Sequence, residues 1–204
     1  MTVTGVVLAA GRSRRLGTPK QLLPYGNTTL LGATLDVART VGFDQLIVTL
    51  GGAAETVRTI REQVPLHGAE VVTVEDSGTG CLASLRAALQ RVDPRADGIV
   101  LMLGDQPGID PVTISRVISM RGAGILVCHY TDGIGHPFWF SRNVFTELSA
   151  LHGDKGVWKL IESGRHQVDE LAVDGPVPPD VDTWDDYQRL LSGAGSASGS
   201  GVRA

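Results

Sequence analysis

At 204 residues, with 42% hydrophobic and 20% charged side chains and a formal net charge of −4, the chain fits one globular domain. Its charge excludes a general nucleic-acid binder, which needs a basic surface. Two cysteines, Cys81 and Cys128, are too few for a disulfide framework or a zinc spacing and fit a reducing cytoplasm. Met1 to Ala10 lacks the charged and long apolar regions of a signal peptide. No run approaches the ~18 apolar residues that span a bilayer, so a soluble cytoplasmic protein without membrane contact is expected.

The first element is the apolar run Gly5 to Ala10 (GVVLAA), a buried strand that stops at Gly11 and delivers Arg12, Ser13, Arg14, Arg15, Leu16, Gly17, Thr18, Pro19 and Lys20. Four cations and several backbone N–H groups within about ten residues form a concavity suited to a polyphosphate. An acidic protein that concentrates its positive charge in one loop points to a specific small anion, a nucleoside triphosphate. The G-x-x-x-x-G-K-[ST] phosphate loop is excluded, because Gly11 and Gly17 are six apart and Lys20 does not follow a glycine. The dinucleotide fingerprint G-x-G-x-x-G is absent as well. Charge alone leaves a merely solvated basic loop open as the alternative.

Further apolar runs at Leu46 to Leu50, Val71 to Val74, Ile99 to Leu103 and Ile125 to Val127 read as buried strands. Helical segments are expected at Thr29 to Val41, Ala54 to Gln63, Leu82 to Val92 and Val112 to Met120, the last behind a first-turn Pro111. This alternation predicts an α/β fold with a mostly parallel sheet covered by helices on both faces. From Tyr130 the alternation breaks. Thr131 to His136 reads as a turn before the aromatic run Pro137 to Phe140, a hairpin that reverses one strand. Asn143 to Leu151, Val157 to Glu162 and Thr183 to Leu191 read as helices and Gln167 to Val173 as a strand, giving one domain over residues 1–191. Residues 192–204 (SGAGSASGSGVRA) read as a flexible tail.

Ligands of such sheets sit beyond the carboxyl ends of the strands, which directs attention to the loops after Ala10 and Leu103. The second loop is Gly104, Asp105, Gln106, Pro107. Asp105 is the leading candidate for a Mg²⁺ ligand, since that ion is held by one or two carboxylates together with phosphate oxygens. Asp182 is a second candidate, against the alternative of a turn or cap residue before the Thr183 helix. Asp180, Asp185 and Asp186 read as solvated or helix-terminal charges.

Leu8-Ala9-Ala10-Gly11-Arg12-Ser13-Arg14-Arg15-Leu16-Gly17, followed by Lys20-Gln21-Leu22-Leu23-Pro24, resembles the L-A-A-G-x-S-x-R-M-G-x-x-K-x-L-L-P signature of the molybdopterin nucleotidyltransferase-like (MobA-like) proteins. Gly104-Asp105-Gln106-Pro107, Gly135-His136-Pro137, Gly153-Asp154-Lys155-Gly156 and Val181-Asp182-Thr183 resemble that family's G-D-Q-P, G-H-P, G-D-K-G and D-I-D-T in the same order. Among its members the chain is most similar to the molybdenum cofactor cytidylyltransferases, which show the second alanine at Ala10 and the G-D-Q-P form.

The resemblance implies a nucleotide-diphospho-sugar transferase-like sheet with one reversed strand. It implies a nucleotide site of Leu8, Ala9, Ala10, Gly11, Arg12, Ser13, Lys20, Ser84 and Asp105. Arg15 and Lys20 would bind the polyphosphate, with Asp105 and Asp182 on Mg²⁺ and Gln106 and His136 on the acceptor side. CTP and molybdopterin are the implied substrates, and a molybdoenzyme or its chaperone the implied partner. One departure matters: the serine-rich S-S-S-L stretch of the cytidylyltransferases is here Leu82-Ala83-Ser84-Leu85, retaining only Ser84. Base and acceptor choice therefore stay open between CTP, GTP, and sugar-phosphate or methylerythritol-phosphate chemistry. A non-catalytic protein that delivers cofactor is a further alternative.

Overall fold

The computed structural model describes residues 2–74, 81–153 and 155–197. Gly80, Asp154 of the Gly153–Gly156 motif and the last residues of the expected tail lie outside them.

A seven-stranded sheet is built from β1 (Thr2–Ala9), β4 (Gln45–Gly51), β5 (Glu70–Val74), β6 (Ala96–Leu103), β7 (Ile125–Tyr130), β8 (Gly133–Ser141) and β9 (Val168–Ala172), in the order β5-β4-β1-β6-β8-β7-β9. All pairings are parallel except those of β8, which runs antiparallel to both β6 and β7. This is the mostly parallel sheet with one reversed strand that the sequence predicts. A separate hairpin, β2 (Pro24–Tyr25) with β3 (Thr28–Thr29), turns at Gly26 and has no counterpart in the sequence reading.

The helices are α1 (Leu30–Val41), α2 (Ala54–Gln63), α3 (Cys81–Leu89), α4 (Pro111–Met120), α5 (Phe145–Ala150), α6 (Gly156–Glu162) and α7 (Trp184–Ala197). Their ends follow from local chemistry. Thr29 caps α1 by accepting from the Gly32 N–H, Gly42 closes it in the left-handed region, and Asp110 caps α4 ahead of Pro111. The last helix runs past the expected end at Leu191 to Ala197. Leu190 is buried in the turn before this extension, and no proline interrupts the run. Among the described residues no helix is long and apolar enough to cross a membrane.

Side chains alternate across β1. Val3, Val7 and Ala9 enter one core with Leu31, Leu35 and Ile114 of α1 and α4, while Val6 and Leu8 enter the other with Leu85, Leu148 and Leu160 of α3, α5 and α6. A third, smaller core of Leu16, Leu23, Leu30, Val181 and Leu190 joins the loop after β1 to the C-terminal segment. Gly104, at the end of β6, lies tight against β1: a Cβ there would stand 2.7 Å from that of Ala9 and 3.0 Å from Leu31 Cδ1. Gly104→Ala is accordingly expected to cost about 1–3 kcal/mol through overpacking, read as a lowered urea midpoint with an unchanged slope.

Candidate active site

β1 turns away to β4 on one side while β6 lies on its other, and the crevice between their carboxyl ends is where open sheets bind ligands. The two strand ends are stitched by the Gly104 N–H, which donates to the Leu8 carbonyl at 2.9 Å. A cavity of about 780 Å³ opens there.

The cationic loop is held in a specific turn. Ser13 has φ 49°, the left-handed region that a non-glycine residue enters only when its surroundings enforce it. Its carbonyl accepts from the N–H groups of Leu16 (3.0 Å) and Gly17 (3.1 Å), and its Oγ accepts from the Lys20 N–H at 2.9 Å. The buried Gln21 donates its amide to the carbonyls of Ala9 (2.6 Å) and Gly11 (3.2 Å), pinning the start of the loop. These bonds direct the side chain of Lys20 inward.

Lys20 Nζ bonds Asp105 and lies 2.9 Å from Asp182 Oδ1, while Arg15 reaches Asp182 Oδ2 at 2.6 Å. Burial alone would lower the Lys20 pKa, but Asp105 and Asp182 outweigh it and raise it, so the ammonium stays charged. Burial pushes the Asp105 carboxyl up against the pull of Lys20. Asp182 is more open. Burial tends to raise it too, but Lys20 and Arg15 hold it below the usual carboxylate range. Thr183 and Asp186 fix the orientation of this segment: Asp186 accepts from the Thr183 N–H (2.8 Å) and hydroxyl (2.7 Å), and Thr183 caps the helix in return. Trp184 donates to the Leu16 carbonyl and Tyr187 to that of Pro24, which lays α7 on the loop.

Single carboxylate oxygens of Asp105, Asp180 and Asp182 all lie within 4.8 Å of one another. Hard oxygen donors at this spacing suit Mg²⁺ or Mn²⁺, and the adjoining cations suit the phosphates such an ion accompanies.

The eleven residues expected at the nucleotide, polyphosphate and metal positions, Leu8 to Ser13, Arg15, Lys20, Ser84, Asp105 and Asp182, all line the one cavity. The two expected on the acceptor side do not. Gln106 is buried, with its amide on the Pro178 carbonyl at 2.9 Å. His136 is part-buried on β8, stacked on Phe138 with ring centroids 4.3 Å apart. Leu82, at the departure from the serine-rich stretch, is buried against Gly156, where a Cβ would stand 2.8 Å from its Cδ1. Sequence reasoning missed Gln21, for which the Lys20-Gln21 pair was a usable signal. Asp180, read as a solvated charge, is indeed exposed, and only the fold brings it near Asp105 and Asp182.

Burial lowers the His136 pKa from 6.5 to about 4, so the ring is neutral at working pH. The unfolded chain then binds one more proton than the folded one between these values. The stabilisation is complete above pH 6.5 and is lost as pH falls through about 4. His136→Phe is expected to flatten stability between these limits, measured by urea titration across pH 4–7.

The chain is similar to several known proteins. Purine catabolism protein PucB of Bacillus subtilis (strain 168) is 27% identical over 193 residues, covering 91% of this chain and 94% of that protein. Nicotine blue oxidoreductase of Paenarthrobacter nicotinovorans is 30% identical over 200 residues, 93% of this chain and 96% of that protein. The crystal structure of Rv0371c from Mycobacterium tuberculosis H37Rv is 68% identical and superposes with a TM-score of 0.88, covering 94% of this chain and 98% of that one. A manganese complex of Rv0371c matches at 64% identity and a TM-score of 0.83, over 94% and 99% of the two chains. The MobA-like NTP transferase domain matches residues 5–170, and the chain belongs to that family.

Proposed function

We propose that the chain transfers CMP from CTP to a phosphate-bearing acceptor of the molybdopterin type and releases pyrophosphate. The observation that carries this reading is the convergence of Lys20 and Arg15 with Asp105 and Asp182 in one cavity at the ends of β1 and β6. A phosphate oxygen of the acceptor attacks the α-phosphorus, and the bond from that phosphorus to the bridging oxygen of the β-phosphate breaks. The nucleophile is already anionic near neutral pH, since the second pKa of a phosphate monoester is about 6, so no side chain has to remove a proton. The task of the protein is to bring anions together in line. Arg15 and Lys20 donate to the departing phosphates, and the loop from Ala10 to Ser13 supplies the backbone against the nucleotide. Asp105, with Asp180 and Asp182, would hold the divalent ion, Mg²⁺ or Mn²⁺, which when bound supplies charge neutralisation at the phosphates.

CTP and the molybdopterin-type acceptor rest on Ala10 and the Gly104-Asp105-Gln106-Pro107 form. A molybdoenzyme or its chaperone is the corresponding partner for the product. The oxidoreductase named among the relatives suggests no hydride chemistry here, because the loop after β1 lacks the glycine spacing that receives a dinucleotide. The test is pyrophosphate release with each of the four nucleoside triphosphates, with molybdopterin-type, sugar-phosphate and methylerythritol-phosphate acceptors. CTP with the molybdopterin-type acceptor should give the highest kcat/KM. Turnover only with another pair would reassign the substrates, and none with any pair would favour a protein that delivers cofactor without chemistry.

A further inference from the structure

Gln106 follows the part-buried Asp105 directly, yet its side chain leaves the cavity and spans to the C-terminal segment. Its Nε2 donates to the carbonyl of Pro178, two residues before Asp180 and four before Asp182. The same loop approaches that segment again at Gly108, whose Cβ would lie 3.9 Å from Pro178. Upstream of Pro178, the Gly175 carbonyl accepts from the Thr131 N–H, the Val177 N–H donates to Asp132 at 2.7 Å, and Val177 packs on the core. Beyond Pro178, Val181 is buried, and Asp182 is held by its ion pairs with Lys20 and Arg15 and by its N–H, which donates to Asp186 Oδ2 at 3.2 Å.

The position is also a costly one for an amide. Gln106 is 5% exposed, and its Oε1 has no hydrogen-bond partner among the described residues. An unsatisfied buried acceptor lowers stability. Retaining a half-satisfied glutamine is understandable if its one bond serves the site.

We propose that Gln106 is a positioning residue, whose amide clamps the Pro178 carbonyl and thereby sets Asp180 at ligand distance from Asp105 and Asp182. This rests on the reading of the three carboxylates as the divalent-ion site. Residues that orient metal ligands from behind commonly change metal affinity or activity by about 10–100-fold when replaced. Gln106 then has no contact with the acceptor. It acts through the spacing of the carboxylates alone.

The test is Mn²⁺ binding by electron paramagnetic resonance, with CTP present and acceptor absent, on the full chain and on Gln106→Leu, Gln106→Met and Gln106→His. Leu and Met keep the volume and remove the donor, whereas His restores an N–H at similar reach. We expect Mn²⁺ affinity to fall about 10-fold or more in the Leu and Met variants and to recover in the His variant. The Leu and Met variants should remain folded by thermal melt, and kcat should fall while the acceptor KM holds. Unchanged Mn²⁺ affinity in a folded Leu or Met variant, or a rise in acceptor KM alone, would overturn the assignment. Failure of the unmodified chain to bind Mn²⁺ would instead overturn the divalent-ion reading, and the assignment with it.

Discussion

Asp105→Asn is expected to fold and to lose about 10³-fold or more in turnover. Asn has nearly the same shape, so the close packing of Gly104 against β1 is preserved. The change removes one negative charge at a point where burial already disfavours it, and Lys20 keeps its contact with Asp182. The folded state therefore loses little. The reaction loses much more, because charge fixed at the phosphates in a water-poor site is worth about 10²–10³ in rate per group, and here a metal ligand is lost as well. Steady-state pyrophosphate release at saturating Mg²⁺, beside a thermal melt, measures both effects. Activity within tenfold of the unmodified chain would remove Asp105 from the mechanism.

Lys20→Met should separate two roles of one side chain. With nucleotide and acceptor present, the missing ammonium is expected to cost about 10²–10³-fold in kcat/KM, since Lys20 contacts both Asp105 and Asp182 and is proposed to donate to the departing phosphates. Without nucleotide the same change should strengthen metal binding. Lys20 Nζ bonds Asp105 and Asp182, so a divalent ion at these carboxylates competes with a fixed positive charge. At about 4 Å and an effective dielectric near 20 that repulsion is of order 4 kcal/mol per unit charge, so even partial relief exceeds tenfold in affinity. Calorimetry with Mn²⁺ and no nucleotide should show the rise. Weaker binding in the variant would mean that the ammonium does not face the metal position.

The elements that fixed the site were legible because they are short and strongly patterned. The apolar run ending at Gly11 and the one ending at Leu103 pair directly as β1 and β6, which is why Lys20 and Asp105 meet. The reversed β8 was legible from the break in alternation after Tyr130. Less visible was anything that depends on two distant segments touching. Asp180 looks like surface charge until the Pro178 carbonyl is tied to Gln106, and Gln106 looks like part of the cavity until its amide is seen turned away from it. At the C-terminus the helix end was not legible from composition. Ser192 and Gly193 read as tail, but burial of Leu190 and the contacts of Trp184 and Tyr187 nucleate α7, which carries them along.

The most direct measurement is a crystal structure of the protein with Mn²⁺ and CTP. It should show one metal ion on Asp105 and Asp182, with the triphosphate of the same nucleotide bridging from that ion to Lys20 and Arg15. A nucleotide bound elsewhere, or a metal ion bound away from Asp105, would contradict the account.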